Sequence, residues 1–75
     1  MTGAIVVDAR GLRCPLPVIR LAARARDLPP GSTLVLLADD PAVRSDVPAW
    51  ARMRGHAMAD VAERDGQLTL TVVLG

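Results

Sequence analysis

The sequence predicts a two-layer α+β sandwich in the order β-α-β-α-β-β, with two helices on one face of a four-stranded mixed sheet. Three observations lead there. Short β-rich runs are followed by stretches in which apolar residues recur at helical spacing. Asp65-Gly66 separates two further strand-like runs and is a two-residue hairpin signal. The chain has 75 residues, which suits one domain over residues 1–75. Packing two helices on one sheet face is then the simplest way to bury the apolar stripes.

Ile5-Val6-Val7 is β-rich, ends at Asp8 and reads as the first strand. Asp8 to Arg13 is a connection with Gly11 as its flexible point. The spacing predicts a helix from about Pro15 to Asp27, with Val18, Leu21, Ala22, Ala25 and Leu28 facing the core. Arg20 and Arg24 fall one turn apart on a more exposed face, and Pro29-Pro30-Gly31 stops the helix. Thr33 to Ala38 is a continuous apolar run, the pattern of a central strand buried on both faces. Asp39-Asp40-Pro41 reads as a second helix start, with Asp40 as cap and Pro41 at the first helical position. Pro48 either kinks this helix or marks its true start, with Asp46 as the alternative cap. Val43, Val47, Trp50, Ala51 and Met53 form its apolar stripe, and Gly55 is a natural stop. Ala57 to Glu63 is a weak strand. Leu68, Leu70, Val72 and Leu74 alternate as a half-buried one.

Composition narrows the chemistry. Hydrophobic residues make up 51% of the chain, yet Trp50 is its only aromatic, so the core is built from Val, Leu, Ile, Ala and Met. The net charge of +1 gives no strong global field to steer the chain to nucleic acid or membrane. All nine basic residues are arginine, which leaves no lysine nucleophile. A single cysteine cannot close an intramolecular disulfide, so oxidised secretion is not the design. One Cys and one His (His56) do not make a structural zinc site, and neither metal nor cofactor is expected. The apolar N-terminal run lacks the basic flank and length of a signal segment. Leu34 to Ala38 is far too short to span a bilayer. A cytoplasmic domain without a membrane partner is the expectation.

The only cysteine lies in Gly11-Leu12-Arg13-Cys14-Pro15-Leu16-Pro17. A following proline disfavours helical geometry at Cys14, and Pro15 suits the first position of a helix. Cys14 is therefore placed as N-cap, Pro15 as N1, Leu16 as N2 and Pro17 as N3. Pro17 has no N–H, so the Leu16 N–H is the backbone donor expected to hold the sulfur. Both prolines stiffen the turn. The helix end and Arg13, with Arg10 close in sequence, are expected to lower the thiol pKa from about 8.5 towards ~3.5–7.5. The thiolate is the nucleophile in thiol exchange. A lone cysteine is ordinarily a small buried hydrophobe; the cap setting argues for an exposed thiol instead. No second cysteine resolves a disulfide, and no Ser/His/Asp set or phosphate loop is evident. A reactive sulfur with so little apparatus fits a carrier better than a self-sufficient enzyme.

Other residues carry weaker signals. Arg13 assists the thiolate and docks acidic partners, or is an ordinary solvated arginine. Arg10, Arg20 and Arg24 form a docking face or simply a soluble helix surface. His56 is a proton shuttle or, in the plainer reading, satisfies local backbone groups after the helix stop. Asp40 and Asp46 are caps first. Trp50 and the methionines are core residues, with Met53 and Met58 available to a partner at an exposed edge.

The run Gly11 to Pro17 resembles the signature of the TusA/SirA-like sulfur-carrier family, with its Cys-Pro-x-Pro element. The resemblance spans the chain: Asp8, Pro30-Gly31, Asp40-Pro41, Asp46-Val47-Pro48 and Gly55-His56 fit it too. It implies a fold similar to the C-terminal domain of bacterial translation initiation factor three. It also implies that Cys14 takes sulfane sulfur as a persulfide from a cysteine desulfurase or rhodanese-type donor and hands it to an acceptor protein. Arg13, Pro15, Leu16, Pro17 and Arg10 would assist or dock partners. Members of the family serve tRNA thiolation, molybdenum-cofactor maturation and sulfur oxidation. Those of tRNA thiolation commonly carry an acidic residue between the prolines. Leu16 stands there instead, which removes a negative charge and adds apolar contact surface. Two other readings are a thiol redox sensor and a regulatory or nucleic-acid-binding module. The first lacks a resolving thiol; near-neutral charge and the lack of exposed aromatic platforms count against the second.

Overall fold

The computed structural model describes residues 3–75; Met1 and Thr2, part of the span expected to form one unit, lie outside the described residues. The elements are β1 (Ile5–Asp8), α1 (Leu16–Ala25), β2 (Thr33–Ala38), α2 (Val43–Arg54), β3 (Ala57–Arg64) and β4 (Gln67–Val73). The order is the expected one. The sheet runs β1-β2-β4-β3. β1 and β2 pair in parallel, while β4 is antiparallel to both β2 and β3, so the sheet is mixed.

Period-2 alternation decides which side chains meet the helices. Leu34, Leu36 and Ala38 of β2 and Leu68, Leu70 and Val72 of β4 are buried on one face. Leu21 of α1 and Val43, Val47 and Ala51 of α2 complete the core with Val7, Ala9 and Leu74. Thr33, Val35 and Leu37 point the other way and are only half-buried. The expectation that β2 is buried on both faces is therefore corrected. The strand is central, but both helices lie on one side of it. A continuous apolar run does not reveal whether a second layer covers the sheet.

Asp65 and Gly66 both have positive φ (52° and 81°), the conformation that a two-residue hairpin needs between β3 and β4. β3 is an edge strand, exposed along almost its whole length, with a register shift between Met58 and Asp60. Asp60, Glu63 and Arg64 on it discourage pairing with a further strand.

Both helix starts differ from expectation. α1 begins at Leu16 with Pro15 as N-cap and no side-chain cap bond. α2 begins at Val43 with Ala42 as N-cap. Asp40 is still used, since its Oδ1 accepts from the Ala42 N–H at 3.1 Å. Residues 41–42 form a turn first, which sets the helix start later than the cap rule places it. Asp46 is not the cap but lies in the first turn of α2, and Pro48 sits inside the helix without ending it. Met53 is 81% exposed and drops out of the stripe assigned to it.

Candidate functional site

Parallel pairing of β1 with β2 sets Asp8 opposite Leu37, so the loops leaving both strands run side by side. The Ala9 N–H continues the pairing to the Leu37 carbonyl at 2.7 Å. A turn follows, closed by the Leu12 N–H on the Ala9 carbonyl at 3.2 Å. Its third residue, Gly11, has φ +81°, which side chains rarely adopt. The aspartates after β2 then fasten this loop. The Gly11 N–H donates to both carboxylate oxygens of Asp39 at 3.1 Å. The Cys14 N–H donates to Asp40 Oδ2 at 2.7 Å. Cys14 and α1 are thereby tied to the start of α2.

Cys14 is exposed and unbridged. Its peptide bond to Pro15 is cis. The sulfur donates to Asp46 Oδ2 at 2.7 Å. This overturns two expectations. The sulfur does not cap α1, because the Leu16 N–H is spent on the Arg13 carbonyl at 2.9 Å. Nor is the thiol acidified. The Asp46 hydrogen bond, desolvation and the negative charges of Asp46 and Asp40 push the Cys14 pKa above its ordinary value. A carboxylate in contact with a thiol favours the neutral S–H. Asp40 itself is held below the usual carboxylate range by the Cys14 N–H, then by the Ala42 N–H, with a contribution from the charge of Arg13.

The expected assisting residues do not converge on the sulfur. Arg10 is paired with Asp8, Nε to Oδ1 and Nη2 to Oδ2, both at 2.9 Å. Its backbone N–H also reaches Oδ1, at 3.1 Å. These bonds hold the Asp8 carboxyl at about 2 and raise Arg10. Arg20 donates to the Asp8 carbonyl at 3.1 Å. Arg13 is exposed and belongs to neither ion pair found among the described residues, Arg10–Asp8 and Arg44–Glu63. Pro15 and Leu16 are exposed, whereas Pro17 is fully buried and anchors the first turn from below. Leu16 (50% exposed) and Ile19 (55%), three residues apart on α1, continue an apolar surface away from Cys14.

His56 lies elsewhere. Its Nδ1 accepts from the Gly75 N–H at 3.0 Å, and its ring sits 4.9 Å from that of Trp50. With Ala22, Ala25, Arg26 and Arg54 these two rings line a cleft of about 400 Å³ at the far ends of both helices. The plainer reading of His56 is the one that this geometry fits.

Spacing along the chain does not bring Asp39, Asp40 or Asp46 to the cysteine. The available signal is an Asp-Asp-Pro run directly after a buried strand that pairs in parallel with the strand before the cysteine.

The family model described as "Sulfurtransferase TusA" matches residues 5–73. The chain belongs to the TusA family. It is 43% identical over 60 residues to the sulfur carrier protein TusA of Pseudomonas fluorescens, covering 80% of this chain and 72% of the relative. It is 41% identical over 61 residues to the protein of the same name from Pseudomonas aeruginosa, covering 81% and 77%. The crystal structure of a SirA-like protein from Desulfitobacterium hafniense superposes with a TM-score of 0.84 at 32% identity, covering 95% of this chain and 97% of that one.

Proposed function

We propose that this TusA-family chain is a sulfur-relay protein, one domain over residues 1–75, that carries sulfane sulfur as a persulfide on Cys14. The observation that carries the reading is the placement of that thiol. It is exposed, yet its backbone is fixed by Asp40 and the preceding turn by Asp39. A carrier needs both properties, because its sulfur must enter the sites of two partners in a set geometry. The names of the relatives support the same role.

In loading, Cys14 Sγ bonds to the terminal sulfur of a donor persulfide as the bond to the donor cysteine breaks. The donor leaves as a thiol and the sulfane sulfur keeps its oxidation level. Discharge repeats the exchange on an acceptor. The donor is of cysteine desulfurase or rhodanese type, and the compartment is the cytoplasm. Leu16 and Ile19 offer apolar contact and Arg13 an unpaired cation to both partners. No helix among the described residues is long and apolar enough to cross a membrane.

Intact-protein mass spectrometry after incubation with a cysteine desulfurase and cysteine tests this. The wild type gains the mass of a sulfur atom, reversibly with reductant, and Cys14→Ser does not. The serine hydroxyl can donate to Asp46 as the thiol does, so the variant keeps the fold. Sulfur uptake by Cys14→Ser, or none by the wild type with either donor type, refutes the proposal.

A further inference from the structure

Among the described residues the sulfur has one hydrogen-bond partner, and it is a carboxyl group. Cys14 Sγ lies 2.7 Å from Asp46 Oδ2. An ionised carboxylate only accepts, so the shared proton is the thiol's own. Asp46 stands in the first turn of α2 beside the fully buried Val47, which fixes the helix it stands on. The other charged groups nearby are Asp40, on the turn before α2, and Arg13, on the loop before α1. Asp40 is occupied by the Cys14 and Ala42 N–H groups. Arg13 is one residue from Cys14, but its charge is felt at Asp40. Among the described residues, Asp46 is the one that hydrogen-bonds the reacting atom.

We infer that Asp46 is a catalytic residue that governs the proton of Cys14, keeping it on the sulfur in the free carrier and receiving it as the new S–S bond forms. The inference rests on the sulfur-carrier reading. The step balances without an oxidant or reductant. Cys14 Sγ bonds to the terminal sulfur of the donor persulfide while its proton moves to Asp46 Oδ2. The donor's S–S bond breaks, its pair stays on the leaving sulfur, and that thiolate takes the proton from Asp46. The carboxylate is restored. Such a thiol is guarded against adventitious alkylation and oxidation, since the thiolate is the reactive form.

Asp46→Asn keeps the size of the side chain and removes its charge. The pH profile of Cys14 alkylation by iodoacetamide should move to lower pH. The thiolate fraction at neutral pH rises about tenfold for every pH unit by which the midpoint drops, while the intrinsic nucleophilicity of the sulfur falls. Alkylation at neutral pH should therefore quicken by about three- to fourfold for the same drop. Sulfur loading from glutathione persulfide should slow in the same variant. Asp46→Glu, which restores a carboxylate, should recover loading in part, and thermal melts confirm that each variant is folded. An unchanged alkylation profile overturns the inference. So does a loading rate that rises in step with alkylation, because then Asp46 only suppresses the thiolate. If the profile moves but the wild type takes up sulfur from no persulfide donor, Asp46 holds the proton as argued and the carrier reading is what fails.

Discussion

Leu21→Ala is the perturbation that reads most directly how firmly the platform beneath Cys14 is held. Leu21 is fully buried in the middle of α1, where it packs against the sheet. The change removes three carbons and leaves a void whose walls relax only in part, at a cost of about 2–5 kcal/mol. A protein of this length has total stability of ~4–11 kcal/mol. We expect a loss near the middle of the first range, about 3 kcal/mol, because α1 lies over a small sheet and can settle partway into the gap. At roughly 4–8 °C for each kcal/mol, the melting temperature should fall by about 12–24 °C. Urea denaturation followed by the fluorescence of Trp50, the only aromatic residue, measures it. The control is Ile19→Ala on the same helix. Ile19 is 55% exposed, and its truncation should change stability by no more than ~0.5 kcal/mol. A loss below about 1 kcal/mol for Leu21→Ala, or equal losses for both variants, would refute the idea that one face of α1 carries its packing energy.

Two further outcomes follow from local geometry. Gly55 closes α2 with φ +77°, and beyond its chain neighbours no atom lies within 4 Å of the position that a Cβ would take. Gly55→Ala should therefore cost only the left-handed backbone, about 1–2 kcal/mol in chemical denaturation, and Gly55→Asn less. Asp8, held at about 2 by Arg10 against an ordinary 3.8, has a depressed folded-state pKa. Its contribution to stability is present above the unfolded value and is lost as pH falls from about 4 towards 2. Carboxyl NMR titration should show the low midpoint, its return towards 3.8 in Arg10→Ala, and weakening by salt, since the pair is exposed. A midpoint unmoved by that substitution would rule out Arg10 as its cause.

The sequence by itself determined the order of the elements, because each is signalled by a pattern within a few residues. The apolar run of β2, the Asp65-Gly66 turn and the Gly55 stop are local patterns, and the structure reproduces them at the residues that display them. It also singled out Cys14, the only thiol in the chain. Only the tertiary structure decided what surrounds that thiol. Cap rules give Cys14 a backbone donor and a cation, whereas the sulfur meets Asp46, 32 positions away in the chain. The same folding brings Asp39 to the Gly11 N–H and Asp40 to the Cys14 N–H, and leaves one face of the central strands half-buried. The reason is that parallel pairing of β1 and β2 sets two distant loops side by side, and electrostatic environment follows distance in space. The direction of the Cys14 pKa, upward rather than downward, follows from Asp46, from desolvation and from Asp40, and not from its sequence neighbours.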